Sequence, residues 1–299
     1  MRSSAKSLVL DLLSAAPHGE LSVRGLVKAA ALFDIAENSV RVALARLRAV
    51  ELVESTERGV YTLGNAASTL NRHVTSWREV ERQCRKWDGG WIAVHTGGLG
   101  RSDRAALRRR ERALRLLGFR ELDRGLEVRP DNLRGGIEAV RERLYELGLD
   151  PDTAVFKAVA FDEDTEARAL NLWEADALVE AYQEMTARLD EELESIVDRD
   201  LDEAARDAFL LGGEAIRRIV FDPLLPEPIV DVAERRAFID AMRRFDKMGQ
   251  ATWRRFLEQV GAFDVPGRSD KRRKILAPTD LSGVDREDAG VGAAIKWGA

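Results

Sequence analysis

The sequence predicts a multidomain α+β protein: an N-terminal winged helix-turn-helix, a ferredoxin-like middle domain and a mostly α-helical C-terminal domain. Three observations predict it. Three helical patterns and then two short β-prone runs occupy the first 63 residues. The order β-α-β-β-α-β follows between residues 91 and 161. From residue 164 onward the apolar periodicity is helical. A chain of 299 residues is also longer than one typical compact domain.

Turn residues and shifts in composition set the expected domain limits. Asp88-Gly89-Gly90 marks a boundary, because such a cluster interrupts both helices and strands. Helical periodicity is lost near the end of the chain. The predicted parts are a winged helix DNA-binding domain at 1–64, a linker helix at 65–88, a ferredoxin-like domain at 89–162, a helical C-terminal domain at 163–262 and a loose tail at 263–299.

The first two helices are predicted from apolar stripes and stop signals. Residues 4–16 place leucines at helical spacing, and Pro17-His18-Gly19 ends that helix. Ser22 is expected to cap the second helix, because its hydroxyl can accept a bond from a free backbone N–H in the first turn. A short turn around Asp34 leads to the third helix.

The third helix lies in the stretch IAENSVRVALARLRAVELV, residues 35–53. On a helical wheel one arc is apolar and would seat this helix on the first two. That arc carries Val40, Ala43, Leu44 and Leu47. The run ELVESTERGVYTL then predicts a hairpin around Thr56-Glu57-Arg58-Gly59, with Gly59 available for a positive φ.

The opposite arc of the third helix is the candidate DNA-reading surface. Small side chains there let the backbone approach a groove, and Asn and Arg can bind base edges. Asn38, Ser39 and Val42 are predicted to contact bases, because the N-terminal part of a recognition helix does so. Arg41 and Arg46 are better placed for phosphates.

Arg58 at the hairpin tip would contact an adjacent minor groove or a phosphate. The alternative is an ordinary amphipathic helix whose arginines face water. The preceding helices, the short turn and the following hairpin favour DNA binding, since the helix by itself fits both.

The remaining elements are read from the same signals. A linker helix is expected from about Asn65 to Lys86. In the middle domain the predicted elements are a strand at 91–96, a helix from Ser102 to Leu117, a hairpin around Arg124-Gly125, a helix from Asn132 to Leu147 and a strand at 154–161. The C-terminal helices are expected at about 164–196, 201–220 and 230–260, with a proline-rich break at 221–228.

Composition and charge narrow the functional classes. The net charge is −5, but residues 1–76 sum to about +2, residues 77–150 to about +4 and residues 151–299 to about −11. The first half can therefore face a polyanion. A single cysteine, Cys84, argues against a disulfide framework or a cysteine-rich zinc site. No long uncharged apolar run is present, so we expect a cytoplasmic protein without a membrane partner.

The chain resembles the PaaX family of bacterial transcriptional repressors, named for the repressor of phenylacetate degradation. Four stretches carry the resemblance: ENSVRVALARLRAVELV, WIAVHT, LWEADALVEAY at 172–182 and FDPLLPEP at 221–228. The resemblance covers about residues 5–260. It implies a homodimeric repressor that binds an inverted repeat in double-stranded DNA and is released by a small effector, which is an aryl-acyl-CoA thioester in the namesake. The stretch IVDVAERRAF, residues 229–238, departs from the family pattern and puts the effector in doubt.

Seven residues are candidate effector contacts: His95, Arg108, Arg109, Arg112, Trp173, Tyr182 and Arg217. The arginines could bind phosphates of a CoA-type effector or of DNA, or could form a solvated helix face. The two aromatic residues are more typical of core anchors than of walls that stack on an aromatic effector. His95 is expected near a buried strand end and is a candidate ligand contact there.

No catalytic residue, metal site or cofactor is predicted. His18, His73 and His95 lack metal-ligand spacing, and Cys84 is expected to be a small core residue. The ferredoxin-like segment is similar to the metal-dependent nucleases associated with CRISPR, but its first strand ends in His95-Thr96-Gly97-Gly98 without a carboxylate. A nuclease-like enzyme and a scaffold that uses the winged helix to bind protein remain as alternatives.

Overall fold

The computed structural model describes residues 4–16, 19–65, 67, 76–100 and 103–262. Its described part is mixed α/β, with nine α-helices, two small antiparallel sheets and a helical C-terminal region. The chain forms two compact units. Unit 1 comprises Met1–Ser76, Leu189–Arg217 and Met242–Ala299, and unit 2 comprises Trp77–Arg188 and Arg218–Ala241. The predictions for His18, His73, Ser102 and the tail at 263–299 fall outside the described residues.

Unit 1 begins with three helices and three short strands. In chain order they are α1 (Ala5–Ala15), β1 (Glu20–Ser22), α2 (Val23–Ala31), α3 (Glu37–Ala49), β2 (Val53–Glu57) and β3 (Val60–Leu63). The Ser22 hydroxyl accepts a bond from the Gly25 N–H at 3.1 Å, as predicted for the cap of α2. Strands β2 and β3 form the predicted hairpin, whose turn is shorter than expected, and Gly59 adopts a φ of 81° there.

The sheet of unit 1 contains one strand that the sequence did not predict. Its order is β1-β3-β2, and both pairings are antiparallel. Strand β1 has only three residues, too few for an alternating pattern to stand out. Glu20 pairs with Thr62 and Ser22 with Val60, so this strand extends the hairpin and leads directly into α2.

The core of unit 1 joins the N-terminal helices to residues from the C-terminal part of the chain. Leucines and valines of α1, α2 and α3 share one buried cluster with Phe209, Trp253 and Phe256. The Phe33 and Phe209 rings are 5.3 Å apart, and the Phe209 and Trp253 rings are 5.4 Å apart. A continuous row of aromatic rings therefore packs in the core of this unit.

The predicted linker helix does not continue as an α-helix through residues 76–86. Ser76–Gln83 forms a 3-10 helix, and Cys84 pairs with Leu133 in an isolated bridge. The chain is already extended here because Arg85 donates its backbone N–H to Asn132 O and its guanidinium binds the Asp131 carboxylate at 2.7 Å. These bonds replace those of a continued helix.

Unit 2 is built on a four-stranded antiparallel sheet with two helices between its strands. In chain order the elements are β4 (Trp91–His95), α4 (Arg104–Leu116), β5 (Arg120–Asp123), β6 (Leu126–Pro130), α5 (Gly136–Glu146) and β7 (Ala154–Ala158). The strand order is β5-β6-β4-β7. Strand β4 is central and buried along Trp91–Val94, while β5 and β7 are the edges.

Two ends of α4 illustrate how local chemistry sets the element bounds. Asp103, rather than the predicted Ser102, is the N-cap, and its carboxylate accepts bonds from the N–H groups of Ala105 and Ala106. Gly118 ends the helix with a φ of 73°. A Cβ on Gly118 would lie 2.8 Å from Pro223, so the proline-rich segment packs directly on this turn.

The C-terminal region is helical, with one more break than predicted. The helices are α6 (Glu163–Leu170), α7 (Ala175–Ser195), α8 (Leu201–Val220) and α9 (Val232–Gln259). The expected single helix at 164–196 is divided at 171–174, where Trp173 leaves the helical register, donates its ring N–H to Gly118 O and stacks on Trp91. No described helix combines the length and apolar character needed to cross a membrane.

A buried guanidinium holds the proline-rich segment in unit 2. Arg129 is fully buried and donates to the carbonyl oxygens of Leu117, Pro130 and Pro223 and to the Asn132 side chain. Burial lowers the pKa of Arg129 to about 10. These bonds tie strand β6 to the segment at 221–228.

Candidate nucleic-acid interface

One face of helix α3 is buried. Val40, Ala43, Leu44 and Leu47 are all buried, as the helical wheel predicted. They belong to the core cluster of unit 1. Packing therefore fixes the rotation of α3 about its axis, and this decides which side chains point outward.

The outward face of α3 carries all five residues predicted there. Asn38, Ser39, Arg41, Val42 and Arg46 are exposed. Val42 is 41% exposed, so its apolar side chain is accessible on this face. An exposed methyl-bearing side chain among amide and guanidinium groups is the combination that reads a thymine methyl and its neighbouring base edges.

Arg41 forms an ion pair on this face. Its guanidinium binds the Glu37 carboxylate one turn earlier at 2.7 Å, and both side chains are more than half exposed. An exposed pair of this kind contributes little to stability and exchanges readily with solvent or another anion. Arg41 is thus positioned by Glu37 yet available for a phosphate.

The N-terminus of α3 is open. Its N-cap residue, Ala36, makes no side-chain cap hydrogen bond. Free N–H groups and the helix dipole make such an end attractive to a phosphate. The acidic Glu37 in the first turn opposes this attraction in part.

Two further arginines of this segment are exposed. Arg58 lies exposed in the turn between β2 and β3, at the predicted hairpin tip. Arg48 is exposed as well, and sequence reasoning missed it. It follows Arg41 by seven residues, which places both on one stripe of the helix, so the i, i+7 spacing could have identified it.

The candidate effector residues are divided between the two units. Arg217 belongs to unit 1, and the other six belong to unit 2. No hydrogen bond, ion pair or ring contact joins any two of the seven in the part of the chain that the structure describes. Arg108, Arg109 and Arg112 lie exposed on α4, and Arg217 is exposed on α8.

The aromatic candidates are core residues. Trp173 and Tyr182 are 5% and 4% exposed. The Tyr182 ring stacks on Phe238, and its hydroxyl donates to Asp222 Oδ2 at 2.5 Å. Both polar ends are bound within unit 2, as expected for buried aromatic anchors.

His95 and Cys84 differ from their expected surroundings. His95 is exposed rather than buried at the end of β4, where its ring lies close to Gly97. Cys84 is half-buried, and burial raises the pKa of its thiol above the ordinary value. A raised thiol pKa disfavours the reactive thiolate. In the described residues no group of three or more His, Cys, Asp or Glu side chains comes together in a way that could hold a metal ion.

Comparisons with known proteins agree with the resemblance noted in the sequence. Residues 173–255 match the family model described as PaaX-like protein C-terminal domain. The solved structure of the uncharacterized protein Rv0674 from Mycobacterium tuberculosis is similar, with a TM-score of 0.55 and 22% sequence identity, over 83% of this chain and 98% of that one. At this identity the similarity shows the fold alone. No curated protein matches the chain. The match to the family model confirms the predicted resemblance to the PaaX family.

Proposed function

We propose that this PaaX-like chain is a DNA-binding transcriptional regulator that acts as a homodimeric repressor. It would bind an inverted repeat in double-stranded DNA and be released by a small effector such as an aryl-acyl-CoA thioester. The observation that carries the proposal is helix α3, whose apolar face is buried while Asn38, Ser39, Val42 and Arg46 are exposed, and which a hairpin follows directly in the chain. The PaaX family match supports a transcriptional regulator at the family level.

We assign residues 5–63 to a winged helix-turn-helix. Three helices packed on one core and a sheet of order β1-β3-β2 support this assignment. In such a domain α3 is the recognition helix and the β2–β3 hairpin is the wing. Arg58 in the hairpin turn would then contact the duplex beside the groove that α3 occupies.

We assign the sheet of unit 2 to a ferredoxin-like domain. The chain order β-α-β-β-α-β and the antiparallel strand order β5-β6-β4-β7 support it. In a dimeric repressor this domain would help to set the spacing between two recognition helices, and half-site spacing in the operator would mirror it. An effector acts only if it favours one spacing over another.

The proposal requires no catalytic step, no metal and no cofactor. Effector binding rests on the resemblance to the family alone. A regulator of this kind would work in the cytoplasm, where the DNA lies, without a membrane partner.

Duplex binding by single-residue variants tests the proposal. The probe is the DNA upstream of the chain's own gene, measured by fluorescence anisotropy against a random-sequence duplex. Asn38→Ala should lose about 1–3 kcal/mol of preference for the specific duplex, because it removes a base-edge contact. Arg46→Ala should weaken both duplexes alike and reduce the salt slope by about 1.

Arg168→Ala is the matched control, since Arg168 is exposed but binds Asp123 in unit 2. Absence of salt-sensitive duplex binding by the wild-type protein would contradict the proposal. It would favour the alternative, a scaffold that uses the winged helix to bind protein. Metal-dependent cleavage of the probe would favour the nuclease-like enzyme. Binding that aryl-acyl-CoA thioesters do not relieve would keep the repressor and remove that effector.

A further inference from the structure

We propose that helix α4 of unit 2 is a second duplex-binding element, whose arginine row binds the phosphates of DNA without reading the base sequence. The proposal rests on the DNA-binding function proposed above. It adds a site in unit 2, whereas α3 belongs to unit 1.

The arginines of α4 are concentrated on its outer face. The helix contains six arginines and one glutamate. Arg110, Ala113 and Leu114 are buried and fix the helix against its unit. At 100° per residue the other five arginines fall on the opposite half of the helix, and four of them lie within an arc of about 80°. Those four are Arg104, Arg108, Arg112 and Arg115.

Among the described residues, most arginines of this face have no ion-pair partner. Within the part of the chain that the structure describes, Arg104, Arg108, Arg109 and Arg112 form no ion pair or side-chain hydrogen bond. Several other exposed or half-exposed arginines do have an acid within about 3 Å: Arg41 with Glu37, Arg168 with Asp123, Arg199 with Glu192, Arg206 with Asp207 and Arg244 with Asp190.

Unpaired like charges at i, i+4 destabilise a helix. Arg104, Arg108 and Arg112 have this spacing. No carboxylate of unit 2 forms an ion pair with these three arginines among the described residues. An arrangement that weakens the helix by itself becomes favourable when an external anion binds to it.

The backbone beneath the arginine row is held firmly. The Asp103 carboxylate accepts the N–H groups of Ala105 and Ala106 at 2.8 and 3.1 Å, and these bonds lower the pKa of Asp103. Arg110 turns inward and donates to Gly100 O at 3.3 Å. The arginines therefore project from a fixed helix, which reduces the ordering cost of a multivalent contact.

The shape of the row favours a duplex over a small phosphorylated ligand. From Arg104 to Arg115 the helix rises about 16 Å, and a duplex presents about ten phosphate charges over that length. The exposed face of a helix is convex, whereas small-molecule sites are concave and bury most of the ligand. Guanidinium groups also match phosphate oxygens in a bidentate manner. Arg115 is partly engaged, because it lies over the Phe221 ring at 6.0 Å.

The salt dependence of duplex binding tests the inference with the full-length protein. The triple variant R108Q/R109Q/R112Q should flatten the slope of log Kobs against log salt by about 2.7 per protomer, at roughly 0.9 per lost phosphate contact. It should weaken binding to the specific and the random duplex equally. R108K/R109K/R112K should keep the wild-type slope, because lysine retains the charge.

The matched control is R82Q/R168Q/R236Q, which removes the same formal charge from unit 2. These three arginines are exposed but already face Glu79, Asp123 and Glu81. The control should leave the slope unchanged. Circular dichroism of each variant should match the wild type, since all six positions are exposed.

Three results would overturn the inference. The first is an unchanged slope in the R108Q/R109Q/R112Q variant while Asn38→Ala still reduces the preference for the specific duplex, which would leave the proposed function intact. The second is an equal loss in the control, which would show that only total charge matters. The third is an R108Q/R109Q/R112Q variant that binds the duplex as the wild type does but no longer binds aryl-acyl-CoA thioesters, which would assign the arginine row to a small anion. Absence of any duplex binding by the wild type would instead overturn the proposed function together with this inference.

Discussion

At the residue scale, the proline-rich segment at 221–228 owes its position to polar side chains that are buried in unit 2. Asp222 accepts the Leu224 N–H at 2.7 Å and the Tyr182 hydroxyl at 2.5 Å. Arg235 donates to Leu225 O at 2.7 Å and lies 4.0 Å from the Asp222 carboxylate. Each of these buried polar groups has a hydrogen-bond partner, which is the condition under which polar groups can be buried.

The ionisation of Asp222 gives a pH-dependent prediction. Burial raises the pKa of Asp222, and this outweighs the opposing influence of Arg235, Tyr182 and the Leu224 N–H. The folded state then keeps a proton that the unfolded chain releases near its ordinary pKa of 3.8. The contribution of Asp222 to the free energy of unfolding is therefore fully present below that pH and is lost as pH rises toward the folded-state pKa.

Denaturant unfolding of wild type and Asp222→Asn between about pH 4 and 7 measures this effect, since asparagine cannot titrate. Relative to the variant, the wild type should lose up to about 1.4 kcal/mol per pH unit within that window. A wild type that gains stability relative to Asp222→Asn as pH rises would show the opposite: a carboxylate that is ionised and paired with Arg235.

The burial of single residues could be predicted where it follows from a periodic pattern in the sequence. The wheel of α3 identified Val40, Leu44 and Leu47 as buried, because their environment follows from helical spacing. Arg110 and Arg129 were not identified as buried. An arginine that points inward has the same local sequence as one that faces water, and its acceptors come from distant segments such as Pro223.

At the element scale, caps and turns decide where the helices begin and end. The Ser22 cap of α2 was predicted from residue type and position. The break between α6 and α7 was not predicted, since its cause is the packing of Trp173 on Trp91 more than 80 residues earlier in the chain. Local signals locate ends that depend on local bonds, and tertiary contacts set the others.

The Ser22 cap supports a stability prediction. Ser22→Ala should lower the free energy of unfolding by about 1 kcal/mol, because the buried Gly25 N–H loses its acceptor. Ser22→Thr retains a capping hydroxyl and should cost clearly less. The measurement is urea unfolding followed by far-UV circular dichroism. Equal stability of Ser22→Ala and wild type would show that water replaces the hydroxyl at no cost.

At the scale of the whole molecule, unit 1 is assembled from segments far apart in the sequence. Its core cluster contains leucines of α1, α2 and α3 together with Phe209, Trp253 and Phe256. The sequence predicted the N-terminal domain as the continuous segment 1–64. That division remains a prediction, because periodicity identifies which residues are buried without identifying their partners.

The core of unit 1 implies that the candidate recognition helix depends on the C-terminal part of the chain for stability. Phe209 is 1% exposed and contacts both the Phe33 and the Trp253 ring. Phe209→Ala should therefore cost about 3–5 kcal/mol and increase amide hydrogen exchange throughout α1, α2 and α3, although none of these helices is altered. It should also weaken duplex binding without changing which duplex is preferred.

Phe156→Ala is the control, since Phe156 is 43% exposed at a sheet edge in unit 2 and should change stability by no more than about 0.5 kcal/mol. If α1, α2 and α3 kept their protection in Phe209→Ala, the N-terminal segment would be an independent folding unit with limits near those the sequence predicts. Loss of protection in all three helices would instead make the C-terminal helices part of the DNA-binding fold. An effector that stabilises or loosens those helices could then alter the recognition helix through the shared core.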